Sequence, residues 1–289
     1  MIAGGTISGN LVVTGSITAA TVAVGSNQVV LPTDLPSLIE GLTTSRNTGT
    51  QITVASGRAI TTDATGTSRR VTTLSSAITK SLSSNWVVGN SNGGLDTGAL
   101  AAAATYHIFL IDNTSNVDVL LSTSLTPTMP SGYTFRRRIG SITTSASTIV
   151  EYTQQAKYFE YKNVINAFNN YNVSATGELI VMPIPIGIRL KVRAFYSPGY
   201  SLSGYETSQV CLSPDVTPYS LGNDMPARPA FVGTVGGYYG SYTDTSGIEI
   251  ERVTDTSGRL YFRRSSFGYL AGGLNQSTFR VLGYEDIGL

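Results

Sequence analysis

The chain has 289 residues, enough for one large or two medium domains, and 41% of them are apolar, which excludes a disordered polymer. Only 13% are charged and the net charge is +1, so no general electrostatic pull toward nucleic acid or an anionic membrane is expected. The single cysteine, Cys211, excludes an intrachain disulfide and a cysteine-based zinc cage, and the single histidine, His107, excludes a histidine-rich metal site; no metal and no cofactor are expected.

No charged side chain precedes Asp34 and no aromatic precedes Trp86. In "NLVVTGSITAATVAV", Leu11, Val13, Ile17 and Val22 are separated by small polar residues, with glycine breaks at Gly9, Gly15 and Gly25. That spacing predicts short strands punctuated by turns. There is no basic n-region and no continuous apolar run, so neither a secretory signal nor membrane insertion is expected. A segment this poor in large apolar groups cannot stand alone. It reads as an arm held by its own chain, by copies or by a partner, with Leu11, Val13 and Ile17 as contact residues. Extended, 33 residues reach about 100 Å.

In "PTDLPSLIEGLTTS", Ser37 and Glu40 have capping-box spacing, and Leu35, Leu38, Ile39 and Leu42 recur at helical spacing. One short helix ending at Gly41 is predicted, with Leu38 at the junction of arm and body. The arm takes residues 1–45.

From Arg46 onward the pattern is strand and turn. "QITVASGRAITTD", "RRVTTLSS", "YHIFLIDNTSNVDVLLST" and "RRRIGSITTSASTIVEY" predict a β-sandwich over 46–155, with "DNTSN" as a hairpin turn and "ALAAAAT" as a loop. A composition shift follows: 14 of the 16 tyrosines lie after Glu151, which marks a second domain, 156–289. There "IVMPIPIGIRLKVRAFYS" starts at an edge or bend because of Pro183 and Pro185. "DTSG", at Asp244–Gly247 and Asp255–Gly258, predicts the turns of a β-meander. The expected fold is all-β: an extended arm with one short helix, then two β-sandwich domains, the second jelly-roll-like.

No catalytic constellation emerges, and no enzyme is expected. "GNSNG" (Gly89–Gly93) matches G-x-S-x-G, but no helix follows Ser91, so a plain turn is the reading. His107 shares a strand face with Phe109 and Ile111, as a structural histidine would. Glu249 and Glu251 lie on one strand face, about 7 Å apart. Alternation with Ile248 and Ile250 marks a half-exposed strand, so partners such as Arg259 or Arg263 are expected rather than glycosidase chemistry. Asp112, Asn116 and Asp118 lack the spacing of a calcium loop. The basic run Arg136–Arg138 puts Arg136 and Arg138 on one face, which fits ion pairs at a subunit interface. In "GGYYGSYTDTSG", Tyr238, Tyr239 and Tyr242 provide rigid amphipathic contact area suited to a sugar ring or a protein partner.

One stretch, residues 82–142, resembles a module of tailed-bacteriophage and prophage virion proteins. Its elements here are Trp86, Gly93-Gly94-Leu95-Asp96-Thr97-Gly98, Tyr106-His107-Ile108-Phe109-Leu110-Ile111, Asp118, Pro127, Pro130-Ser131-Gly132-Tyr133 and Arg138-Ile139-Gly140-Ser141. Thr105 stands where those proteins carry an aromatic. "ISGNLVVTGSITA" is similar to the attachment arms of phage fibres. The resemblance implies a virion protein, a homotrimer of β domains on an N-terminal arm that contacts other virion proteins, with no catalytic residues to carry over. A tail or baseplate fibre is expected. A capsid head fibre or decoration protein, and a host-glycan-binding module using the tyrosines, are the alternatives.

Overall fold

The computed structural model describes residues 23–24, 27–28, 38–170, 178–197, 207–212, 231–235, 248–266 and 277–289. The chain divides into two compact units, Met1–Pro36 and Ser37–Leu289. In the first, β1 (Ala23–Val24) pairs antiparallel with β2 (Asn27–Gln28). Leu11, Val13 and Ile17 lie outside the described residues.

Among its described residues the second unit is all-β. Its largest sheet has eleven strands: β3 (Ile39–Gly41), β4 (Thr44–Thr48), β5 (Gln51–Val54), β6 (Gly57–Thr62), β7 (Arg69–Leu74), β8 (Ile78–Asn85), β9 (Asn92–Leu95), β10 (Thr105–Asp112), β11 (Val117–Ser122), β12 (Phe135–Ser145) and β13 (Thr148–Ile149). The spatial order is β3-β6-β12-β10-β11-β9-β8-β5-β4, with β7 paired to β6 and β13 to β12. The predicted hairpin is the β10–β11 pair. Its turn is closed by Asn113 Oδ1, which accepts from the Ser115 and Asn116 amides at 3.0 and 2.7 Å. The "ALAAAAT" stretch is a loop up to Ala104, as expected.

β10 shows why this segment is a strand. All eight residues are buried, and alternate side chains enter different cores. Tyr106, Ile108 and Leu110 join the main core; Phe109 and Ile111 join a small second one with Leu120, Tyr133, Trp86 and Met129. A strand apolar on both faces cannot lie at a surface.

β9 departs from the antiparallel pattern and runs parallel to both β8 and β11. The close crossing needs the glycine pair of the motif. A Cβ at Gly93 would stand 1.9 Å from the Asn85 carbonyl oxygen, and one at Gly94 would stand 2.9 Å from Lys80 Cβ.

The described residues form two further sheets. Their strands are β14 (Tyr152–Gln155), β15 (Tyr158–Asn170), β16 (Glu178–Val181), β17 (Lys191–Ser197), β18 (Thr207–Leu212), β19 (Phe231–Val235), β20 (Ile248–Val253), β21 (Arg259–Ser266) and β22 (Ser277–Glu285). One sheet is β14-β15-β22-β17-β20 and the other β16-β21-β18-β19. The main apolar core takes Tyr106 and Ile142 from the large sheet, Phe159, Val192 and Tyr284 from the second, and Leu260 from the third. Each such side chain contributes about 1.5–3 kcal/mol by leaving water. The Phe159 and Tyr284 rings stack with centroids 5.0 Å apart.

Two expectations need correction. The helix predicted across Leu35–Leu42 is not formed where the chain is described: Ile39–Gly41 is a strand whose partners are Ala59, Arg58 and Gly57. Gly41 at φ 68° and Leu42 at φ 54° bend the chain, so that Leu42 enters the core, 1% exposed. Core burial and strand pairing outweigh a two-turn helix that is marginal by itself. The turn Asp255–Gly258 forms as expected, with Gly258 N donating to Asp255 O at 3.0 Å, but it does not close a hairpin. It carries the chain from β20 in one sheet to β21 in another. The first "DTSG" lies outside the described residues.

Candidate functional site

Several motif residues of 82–142, Trp86, His107, Asp118, Arg138 and Ser141 among them, take part in two buried polar ties. The first centres on Lys80 and Asp118, which are 0% and 1% exposed at the side chain. Lys80 Nζ lies 2.9 Å from Asp118 Oδ1 and donates to the Val87 carbonyl at 2.7 Å. Asp118 Oδ2 also accepts from the Gly89 amide at 2.9 Å. Burial pulls the Lys80 ammonium below its ordinary pKa, and Asp118 opposes the shift. Trp86 lies beside the ammonium, 5.3 Å from Nζ to the ring centroid, donates from Nε1 to Val119 O at 3.1 Å, and meets Tyr133 edge-on at 5.1 Å.

The second tie centres on His107, 2% exposed. Its Nδ1 is 2.8 Å from Ser141 Oγ, and Arg138 Nη1 donates to the same oxygen at 3.1 Å. Arginine only donates. Ser141 Oγ therefore accepts from Arg138 while it shares a hydrogen bond with the imidazole. Arg138 forms a two-pronged ion pair with Asp286, Nη2 to Oδ1 at 3.0 Å, and Tyr284 Oη donates to Ser141 O at 2.5 Å. Burial first, and the Arg138 charge second, push His107 down to about 4, against a smaller opposing pull from Asp286. The imidazole is neutral at pH 7.

A serine and a neutral histidine 2.8 Å apart have the spacing of a nucleophile and its base. The surroundings give them a different task. Ser141 is fully buried, its oxygen already takes a proton from Arg138, and the carboxylate of Asp286 is spent on Arg138 rather than on His107. The network binds β10 and β12 to the segment after β22.

The other predicted residues fall as follows. Arg138 takes an intramolecular partner, Asp286. Arg136 lies beside Pro127 O at 3.5 Å. Leu38 is half-buried and its carbonyl accepts from Ile60 N at 3.0 Å, so it belongs to the sheet. Tyr238, Tyr239 and Tyr242 lie outside the described residues. Ser91 is a turn residue at φ 61°, followed by strand β9 and not by a helix. Glu249 pairs with Arg193, and Glu251 with Lys191 at 3.0 Å. The partners named from sequence were wrong because β20 lies against β17, while Arg259 is on β21 and turns back to Asp255 at 2.7 Å. Asp112 and Asp118 serve different partners: Asp112 pairs with Arg70 at 2.7 Å and accepts from Thr72 at 2.7 Å. Among the described residues no group of three His, Cys, Asp or Glu side chains could hold a metal, and no helix is long and apolar enough to cross a membrane.

Sequence reasoning missed an open groove of about 680 Å³ on the second unit. Its lining includes Val164, Val181 and Ile186, which are 53%, 59% and 45% exposed. Its one charged lining residue, Glu151, is paired to Arg46. The two prolines, Pro183 and Pro185, were the available signal, since they mark the irregular segment along one wall.

A scan against family models and a search of curated proteins both find no match to this chain.

Proposed function

We propose that the protein is a structural component of a tailed-bacteriophage virion, a trimeric fibre attached to the tail or baseplate through its N-terminal arm and facing the host surface with its β sheets. The observation that carries the reading is the use made of the motif residues. Trp86, Gly93, Gly94, Asp118, Tyr133, Arg138 and Ser141 all build a rigid β module, and none is left in an open catalytic pocket. A part that transmits force or spans distance needs buried ties of this kind. The groove with exposed Val164, Val181 and Ile186 supports an association face, since exposed apolar clusters on such proteins mark contacts. Attachment as a head fibre or decoration protein uses the same features and is the second reading.

The test is the solution mass by light scattering of the full chain and of a version beginning at Ser37. Starting later, at Thr43, would remove β3 and Leu42 from the folded unit. A full-length trimer that dissociates without residues 1–36 makes the leader an assembly device. A trimer in both puts the threefold contacts in the β sheets and leaves the arm to another virion protein. A monomer in both refutes the trimeric fibre.

A further inference from the structure

On β12, β6 and β7 the register sets Arg136 opposite Thr62 and Thr62 opposite Arg69. Directly opposed residues of antiparallel strands point to the same side of the sheet. Two arginines therefore stand on either side of one threonine in a row spanning about 10 Å between the outer Cα atoms. Thr62 and Arg136 are half-buried and Arg69 is exposed, so the row opens to solvent.

Like charges set this close cost stability unless something answers them. Among the described residues the only answer is the Pro127 carbonyl, 3.5 Å from Arg136 Nη1, and no carboxylate. Neighbouring Arg70 is taken by Asp112 and Arg138 by Asp286, while Arg69, Arg136 and Arg137 have no carboxylate partner. Arg137 Nε is shut from solvent without an acceptor. Asp63, next to Thr62, turns its carboxylate into the β6–β7 turn, where Thr65 and Thr67 donate to it at 3.0 and 3.4 Å. Glu40, Glu151, Glu160, Glu249, Glu251 and Glu285 are each in an ion pair, and Asp96 is bonded to Ser122 and Thr128. Among the described residues, then, no carboxylate answers Arg69 or Arg136. The patch is too short for a nucleic-acid backbone, which binds through many phosphate contacts, and a threonine between two arginines suits a ligand that presents an acid and a hydroxyl together.

We propose that the Arg69–Thr62–Arg136 row binds the carboxylate or sulfate group of an acidic saccharide. The inference deepens the host-facing part of the reading above and rests on it for the source of the ligand.

Isothermal titration of the full chain decides it, with three probes: trigalacturonate for the carboxylate, a chondroitin sulfate tetrasaccharide for the sulfate, and neutral maltotriose. The expected result is salt-sensitive binding of one or both acidic probes, none of maltotriose, and affinity about tenfold weaker in Arg69→Gln and in Arg136→Gln. Arg193→Gln, which lies on another sheet, should bind like the parent. Arg69 is exposed, so its variant keeps the test open if Arg136→Gln folds poorly. No binding of either acidic probe overturns the proposal, as does equal binding by parent and Arg69→Gln, or equal affinity for a short single-stranded DNA of the same charge. The mass measurement does not depend on any of these, so the assembly reading and this one fail separately.

Discussion

Acidification should destabilise this protein through His107. The imidazole is held neutral, with its pKa pushed down from 6.5 to about 4, while in the unfolded chain it returns to its ordinary value. Between those values the unfolded state binds the extra proton, so stability rises with pH. The contribution is complete above about pH 6.5 and is lost as the pH falls toward 4. Lowering the pH from 7.5 to 5 should then cost about 2 kcal/mol. The lowered carboxylate Glu285, held by Lys157 and Lys191, and lowered Asp255 act in the same direction at lower pH: their stabilisation is present above their ordinary values of 4.5 and 3.8 and fades below them. Urea unfolding at pH 7.5, 6 and 5 on the parent and on His107→Gln measures the difference. The parent should lose about 2 kcal/mol more than the variant over that range. Because His107 is the only histidine, its imidazole resonances titrate without overlap in an NMR experiment. Parallel loss in parent and variant, or a folded-state titration midpoint near 6.5, would refute the buried neutral imidazole.

Removing one half of the Lys80–Asp118 pair leaves a buried charge, so Lys80→Met and Asp118→Asn should each cost about 3–5 kcal/mol in chemical denaturation, and the double variant less than their sum. Gly93→Ala places a Cβ 1.9 Å from a backbone oxygen and should abolish folding, read as loss of the dispersed amide NMR spectrum, while Gly66→Ala, with nothing within 4 Å but φ at 74°, should cost only about 1 kcal/mol. Tyr152→Phe removes a hydroxyl that donates to Thr44 at 2.8 Å and should lower stability by about 1 kcal/mol, seen as a small fall in melting temperature.

The two-residue alternation of "YHIFLID" and the turn chemistry of "DNTSN" are local properties, and both were legible as a strand and a hairpin. So was the sorting of Tyr106, Ile108 and Leu110 away from Phe109 and Ile111. The segment around Ile39 misled because a three-to-four spacing of leucines also arises when a short strand is followed by a residue that turns into the core. Which strand receives Glu249 depends on sheet order, and no local pattern encodes that β20 leaves its chain neighbour β21 for β17. Arg138 and Asp286, 148 positions apart, illustrate the same limit: the basic run announced a need for acid but not which acid. The parallel course of β9 left a trace in Gly93-Gly94, whose meaning depends on how close Asn85 and Lys80 come.

The position of β22 has a consequence for synthesis. It lies in the middle of its sheet, between β15 and β17, yet follows every other strand of that sheet in chain order. As the polypeptide leaves the ribosome, β15 and β17 emerge with open hydrogen-bonding edges and remain so until β22 arrives to fill the slot between them. Each nascent molecule thus passes through an interval in which two strand edges are free to pair with neighbouring chains on the same message. Slower translation across residues 198–276 would lengthen that interval, and the yield of soluble protein should follow translation speed there more than anywhere else in the gene.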